Sequence, residues 1–281
     1  MTTPLRLLYK PKKPQPMPYL QLLPLELLFT IFSYLSYSSN TLKAMALLNS
    51  FFRPIAIQYL FKTVIFQINT TDPFAVMRCS LFKAHPHFAQ AAITVVIRRS
   101  RSLSSSDHAF VNRNTLQYIT SHFPNMLNLA LHGLTWMDRI NTPRSLRVAF
   151  RQSTLYHIRH LIITGLNTTS YEGSFNSFLQ LFHQLHGLRI GMHGAHTYHL
   201  PLHARTRARH SITHISFPAF NEWRQFEIGL QWLSIGQGVK QLIFDGLTPR
   251  LVPIAGAWIS ANRETLEELG LGVLYPQSKS L

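Results

Sequence analysis

The chain has 281 residues, of which 46% are hydrophobic and 14% are charged, a composition that excludes a disordered protein and favours a packed one. Its net charge of +16 comes from 27 Lys and Arg against only 11 Asp and Glu, and it favours nucleic acid, acidic protein or a membrane surface as partners. The single cysteine, Cys79, excludes an intramolecular disulfide and indicates a reducing, intracellular compartment.

Residues 1–18 contain three lysines among five prolines, which predicts a disordered, basic arm rather than a secretory signal. The next residues, 19–37, are apolar enough to suggest a membrane span. Pro24 and Glu26 lie inside this segment, however, and serines make its end polar. We therefore predict an amphipathic helix there and no membrane partner.

Residues 22–56 predict a helical hairpin. Pro24 suits the first turn of a helix, and a break at Ser36–Asn40 precedes a second apolar run from Leu42 to Phe52. The apolar residues of the first helix recur at helical spacing: Leu27, Leu28, Ile31, Phe32 and Leu35. Two such short helices have more apolar surface than they can bury between them, so the hairpin needs a partner surface.

This segment resembles the F-box in its Leu23-Pro24 pair, in Glu26, in Tyr34-Leu35 and in the closing Phe52-Arg53. It departs from that motif at Asn40, where Asp is common, and at Asn49, where Cys is common. The resemblance implies a helical domain at 19–60 that docks on a Skp-type adaptor, and through it on a cullin. The docking residues that it implies are Leu23, Pro24, Leu27, Leu28, Ile31, Phe32, Leu35, Leu42 and Leu48.

Residues 61–107 alternate between short apolar runs and a polar stretch. Apolar alternation from Phe61 to Phe66 and the run Ile93–Ile97 predict two strands, with a helix predicted at 73–82 between them. The polar stretch RRSRSLSSSD at 98–107 predicts an exposed loop.

The remaining chain repeats with a period of 27 residues. Apolar residues occupy a central position, the position three residues before it and the position two residues after it. The five central residues are Leu161, Leu188, Ile215, Leu242 and Leu269. An upstream copy is centred on Leu129, and looser copies begin at Phe61 and Ala92. Amphipathic runs at 175–182, 223–233 and 251–259 predict helices that cross over between parallel strands.

This pattern resembles the leucine-rich repeat, with irregular spacing and without the usual stacked asparagine. The resemblance implies that residues 61–281 form an irregular leucine-rich-repeat-like α/β solenoid, a horseshoe whose apolar positions face the core. The chain as a whole is then an α/β protein with a short N-terminal helical F-box.

Residues that alternate with the apolar positions should face away from the core, where a target could bind. They include His160, Arg189, His214 and Gln241. A polar loop at 191–211 contains five histidines and Arg205, Arg207 and Arg209, which share one face of an extended chain and suit an acidic partner. Without nearby Cys, Asp or Glu in this loop, we predict no metal site there.

No catalytic motif or cofactor-binding motif is present in the sequence, so we predict neither an enzyme nor a cofactor. The F-box resemblance implies the substrate-recognition adaptor of an SCF-type ubiquitin ligase, acting in the cytoplasm or nucleus, with the solenoid binding a target protein. The alternative is a solenoid binding protein outside ubiquitination, whose basic surface contacts nucleic acid or acidic protein.

Overall fold

The structure, a computed structural model, divides the chain into two compact units, Met1–Lys62 and Thr63–Leu281. The residues that it describes are 18–68, 80–100, 109–136, 158–165, 167–168, 181–182, 185–191, 212–217, 238–247, 249 and 252–273. Several predicted features lie outside these residues: the basic arm before residue 18, positions 73–79 and 101–107, most of the crossover runs at 175–182 and 223–233, and nearly all of the histidine-rich loop.

Within its described residues, the first unit contains four helices: α1 (Pro18–Gln21), α2 (Leu25–Leu35), α3 (Ser39–Leu48) and α4 (Arg53–Leu60). Pro24 precedes α2, and its carbonyl accepts hydrogen bonds from the amides of Leu27 and Leu28, each at 3.1 Å. The hydroxyl of Ser38 caps α3 by accepting from the Thr41 amide at 3.4 Å. The predicted start of the first helix and the predicted break after it are therefore confirmed.

The periodicity predicted that the second apolar run forms one helix as far as Phe52, but the structure does not show this. Helix α3 ends at Leu48, and the amide of Phe51 donates to Oδ1 of Asn49 at 2.9 Å, which closes a turn. Pro54 then occupies the first turn of α4, where its missing N–H costs nothing. Asn and Ser are turn-forming residues, and Asn49-Ser50 overrides the helical spacing of the phenylalanines.

The three longer helices of the first unit enclose a small core. The ring centroid of Phe32 lies 6.0 Å from that of Phe52 and 6.3 Å from that of Tyr59. The Tyr59 hydroxyl donates to the Phe29 carbonyl at 2.8 Å, so its polar atom is satisfied. The buried members of this core are Leu28, Phe32, Leu42, Phe52, Ile55 and Ala56.

The second unit is a mixed α/β structure built on an eight-stranded sheet. Its strands are β1 (Thr63–Ile68), β2 (Thr94–Arg99), β4 (Asn128–His132), β6 (His160–Thr164), β8 (Gly187–Gly191), β9 (His214–Phe217), β10 (Gln241–Leu247) and β11 (Glu268–Val273). They lie in the sheet in this same order, and every neighbouring pair is parallel. The helices that the structure describes between strands are α5 (Ser80–Ala84), α6 (Pro86–Ala91), α7 (Arg113–Ser121) and α8 (Val252–Ala261).

The strand register confirms the 27-residue alignment. Leu161 pairs with Leu188, Leu188 with Ile215, Ile215 with Leu242, and Leu242 with Leu269. The irregular upstream copies follow the same register, because Val64 pairs with Val95, Val95 with Leu129, and Leu129 with Leu161. Equivalent positions of neighbouring repeats therefore pair in the sheet even where the repeats are more than 27 residues apart.

The apolar side of the sheet packs against the connecting segments. Phe66 on β1 contacts Phe82 on α5 at a centroid distance of 6.1 Å and Phe123, just after α7, at 5.7 Å. Burial changes at the last strand, where Leu269 and Leu271 are 40% and 54% exposed although their counterparts in the earlier strands are buried. The part of the chain that the structure describes thus leaves the apolar side of β11 partly uncovered.

The predicted loop at 98–107 begins later than expected. Arg98 and Arg99 belong to β2, where they pair in register with Gln67 and Ile68 of β1. Two charged residues in sequence suggest a loop, but β1 extends alongside both arginines and β4 alongside Arg98, and these strands supply backbone partners.

A second, three-stranded parallel sheet was not predicted. It consists of β3 (Phe110–Val111), β5 (Thr135–Trp136) and β7 (Asn167–Thr168). Gly133 and Gly165 stand just after β4 and β6, with φ values of +62° and +63°. This left-handed conformation is one that glycine adopts without steric cost, and it lets the chain turn from the large sheet into the small one.

Candidate functional site

Helix α2 exposes an apolar stripe on the side next to its buried one. Leu27, Ile31 and Tyr34 follow one another at intervals of four and three residues, and Leu27 is 51% and Tyr34 75% exposed. These intervals place the three side chains on one face of the helix. The polar sector borders the stripe on the side away from the buried residues, and it is short, consisting of Glu26, Thr30 and Ser33.

More large apolar side chains of the first unit are also exposed. They are Tyr19, Leu22, Leu25, Phe29, Tyr37, Leu47, Leu48 and Phe51. Together with the stripe, they make eleven exposed large apolar residues, which we call the apolar surface. Single exposed apolar residues are ordinary, but so many in one small unit are typical of an interaction surface.

The docking residues implied by the F-box resemblance divide into three groups in the structure. Leu28, Phe32 and Leu42 are buried in the unit's own core, and the structure assigns them to holding the helices together rather than to contacting a partner. Leu23 and Leu35 are half-buried and pack against this core. The exposed residues are Pro24, Leu27, Ile31 and Leu48.

The resemblance did not single out Tyr34 and Leu47 as docking residues, although both are strongly exposed. A signal for Tyr34 is present in the sequence, because it lies seven residues after Leu27 and therefore on the same face. Leu47 carries no such signal. Both Leu47 and Leu48 are exposed, and this depends on how α3 packs against α2 and α4.

The exposed face of the large sheet brings four predicted target-binding residues together. His160, His214 and Gln241 occupy the same register position on β6, β9 and β10, and Arg189 lies two residues further along β8. All four alternate with buried apolar residues, so they face away from the core as predicted. Arg205, Arg207 and Arg209, the other predicted residues, lie outside the described residues.

His160 lies against the backbone of the neighbouring strand. A Cβ added at Gly187 would stand 2.3 Å from Nδ1 of His160, so the imidazole fills the space that this glycine leaves open. Burial of its ring lowers the pKa of His160 below the ordinary histidine value, and the positive charges of His186, His214 and Arg159 lower it further. His160 is therefore neutral at pH 7.

Two polar contacts join strands across this same face. Arg189 Nη2 lies 2.6 Å from Oδ2 of Asp245, an ion pair that spans from β8 to β10 over the small side chain of Ser216 on β9. On the same face, Nδ1 of His132 on β4 hydrogen-bonds with the Thr164 hydroxyl on β6. Burial lowers the pKa of His132, and the positive charge of Arg98, its partner in register, lowers it further.

The histidines of this face are not arranged as a metal site. Among the residues that the structure describes, no three His, Cys, Asp or Glu side chains converge in a way that could hold a metal ion. The same part of the chain has no helix long and apolar enough to span a membrane.

Comparison of the chain with models of known families, with characterised proteins and with solved structures gives no match. A functional interpretation therefore depends on the two surfaces themselves: the apolar surface of the first unit and the polar face of the large sheet.

Proposed function

We propose that this protein is a substrate-recognition adaptor of an SCF-type ubiquitin ligase, related to the F-box proteins. The first unit docks on a Skp-type adaptor, and through it on a cullin, while the second unit binds a target protein. The protein itself performs no chemistry, and it acts in the cytoplasm or nucleus.

The observation that carries this proposal is the apolar surface beside a complete core. Leu28 and Phe32 already hold α2 against the other helices, so the exposed stripe of Leu27, Ile31 and Tyr34 is not needed for folding. Burying such side chains in an interface gains about 25 cal/mol per Å² before association costs. The Leu-Pro pair and the Glu of the resemblance stand at the start of this same helix.

The second unit is proposed to be an irregular leucine-rich-repeat-like α/β solenoid, a horseshoe. Three observations support this: the strands lie in chain order, all are parallel, and equivalent repeat positions are in register. A chain that adds one strand per repeat in a single direction contacts chiefly its neighbouring repeats, as solenoids do. Such an array leaves one long sheet face for a target.

Docking is tested by co-purifying the full chain with a recombinant Skp-type adaptor and measuring affinity by calorimetry. We expect Leu27→Asp with Ile31→Asp to weaken binding at least about 100-fold, because two apolar contacts are replaced by buried charges. The matched control is Thr30→Asp with Ser33→Asp, which adds the same charge to the polar sector of the same helix and should change affinity less than about threefold.

If the Leu27/Ile31 variant binds as tightly as the wild type while remaining helical, the docking assignment is wrong. If the control variant loses binding equally, the effect is due to charge and not to the stripe.

A second candidate function has its own observation. The first six strands of the large sheet contain no Asp or Glu, so their exposed face is free of negative side chains. This favours a binding protein outside ubiquitination whose basic surface contacts nucleic acid or acidic protein. Affinity for nucleic acid would fall steeply between 50 and 200 mM salt. An affinity that does not change with salt would exclude nucleic acid as the partner.

A further inference from the structure

Charge is segregated along the exposed face of the large sheet. The described acidic residues of the second unit all lie at its end: Asp245, Glu264, Glu267 and Glu268. Strands β2 to β9 instead present Arg98, His132, His160, Arg189 and His214 on or beside this face. The charged and titratable side chains that a partner meets on β6, β8 and β9 are therefore His160, Arg189 and His214, with Asp245 of β10 paired to Arg189.

The centre of this region is the notch that Gly187 leaves in the sheet face, which the imidazole of His160 fills. Gly187 has no side chain, and its register partners on the two sides are His160 and His214. With neighbouring strands about 4.8 Å apart, the two histidine backbones are roughly 10 Å apart across the glycine. His186 precedes the notch and Arg189 follows it on the same strand, and both are exposed. We call these five residues the histidine notch.

A carboxylate of the chain itself already approaches this region. Asp245 on β10 reaches Arg189 on β8 at 2.6 Å across the intervening strand β9. Both side chains of this pair are substantially exposed, at 48% and 37%. The guanidinium of Arg189 thus binds a carboxylate on the solvent side of the sheet. Its remaining N–H donors are open to a second carboxylate.

We propose that the histidine notch binds an acidic polypeptide segment, whose carboxylates contact Arg189 and the protonated rings of His160 and His214. This deepens the target-binding role proposed for the second unit and rests on it. A polypeptide fits better than nucleic acid because the face offers few permanent cations, and because the acidic residues of β10 and β11 would repel a continuous row of phosphates. An extended acidic segment can instead stop before those strands.

Binding at the notch is coupled to protonation. Around His160 stand Arg159 just before it in the chain, His186 just before β8, His214 on β9 and the neutral Asn128 on β4. Beside His214 stand the neutral Gln241, in register on β10, with Lys240 before it, and Glu268 aligned on β11. Burial of the ring and then the surrounding positive charges lower the pKa of His160, whereas an incoming carboxylate favours its charged form. Affinity must therefore rise as the pH falls below about 6.5.

The test uses the full chain and a fluorescent ten-residue peptide of alternating Glu and Ser, with fluorescence anisotropy at pH 7.5 and pH 5.8. The glutamates stay ionised over this interval. We expect the wild type to bind the peptide about five- to tenfold more tightly at pH 5.8. A peptide of alternating Gln and Ser and a ten-nucleotide oligo-dT serve as probes without carboxylates.

The decisive variant is His160→Gln with His214→Gln, which keeps both exposed side chains polar and should reduce the pH effect to less than about twofold. Its matched control is His85→Gln with His87→Gln, two exposed histidines at the start of α6. This control should keep the wild-type pH effect.

A notch variant that retains the full pH effect, or a control that loses it, overturns the proposal. Tighter binding of oligo-dT than of the acidic peptide, dependent on His160 and His214, also overturns it and assigns the face to nucleic acid. None of these results bears on adaptor docking, because the docking test alters only residues of α2. Failure of one proposal is therefore distinguishable from failure of the other.

Discussion

The two units of this chain differ in how much of their apolar surface they bury. The helical unit buries six residues in its core and exposes eleven large apolar ones, whereas the large sheet buries most of its alternating apolar positions and exposes polar and basic ones. Short helices have little interior, so an apolar helix must leave some of its surface outside. A sheet has two distinct faces, and the period of two places most of the apolar residues on one of them.

This difference indicates two kinds of binding. The helical unit offers apolar area, which gives affinity that depends little on salt or pH. The sheet offers charge and titratable rings, which give selectivity and pH dependence. The following substitutions test this difference between the two units, in order of decreasing expected effect.

The sharpest contrast within one helix is between Phe32 and Tyr34. Phe32→Ala removes a fully buried ring, and we expect it to destabilise the helical unit by about 3–5 kcal/mol. Tyr34→Ala removes an exposed ring and should change stability by less than about 0.5 kcal/mol while weakening adaptor binding. Hydrogen exchange of peptides from α2 to α4 measures the first effect, and calorimetry with the adaptor measures the second. Equal protection in both variants would contradict the assigned core.

The turn between the two sheets depends on Gly133. Gly133→Ala forces a side chain into the left-handed region at φ +62°, and we expect a loss of roughly 1–2 kcal/mol in the free energy of unfolding. Gly256→Ala is the control: it lies in α8 with open space around it, and it should stabilise the helix by about 0.5–1 kcal/mol. Urea unfolding compares the two, and a stabilising Gly133→Ala would show that the turn is not left-handed.

The smallest effect is the pH dependence of stability in the sheet unit. The pKa values of His132 and His160 are lowered in the folded state, so the unfolded state binds protons more readily as the pH falls. The free energy of unfolding should therefore decrease as the pH falls below about 6.5. His132→Gln should reduce this slope between pH 7.5 and 5.5 in urea titrations, whereas His87→Gln should not. If the slope is unchanged in His132→Gln, His132 does not contribute to the pH dependence of the free energy of unfolding.

Much of the sheet was predictable because its information is local and repeated. A 27-residue period with apolar residues at fixed offsets predicts both which side chains are buried and which strands align, and Leu161, Leu188 and Leu242 illustrate this. The polar residues between them were placed on the exposed face by alternation alone. The small sheet was not predicted, because strands of two residues carry no periodicity.

Helix α2 shows the limit of the same reasoning. In α2 nearly every sector except Glu26, Thr30 and Ser33 is apolar, so helical spacing does not say which stripe is buried. Contact with Phe52 and Tyr59 turns Leu28 and Phe32 inward and leaves Leu27 and Ile31 outside. Long-range contact decides what periodicity leaves undetermined.

The sequence by itself determined the strands of the 27-residue repeat, their register, the helix start at Pro24 and the break after that helix, since each depends on residues close in the chain or repeated along it. Only the tertiary structure decided the exposed stripe of α2, the extension of β2 through Arg99, the ion pair of Arg189 with Asp245 and the position of His160 over Gly187. These four depend on residues brought together from distant positions, and their free energies come from packing, backbone pairing and charge contacts that exist only once the chain is folded.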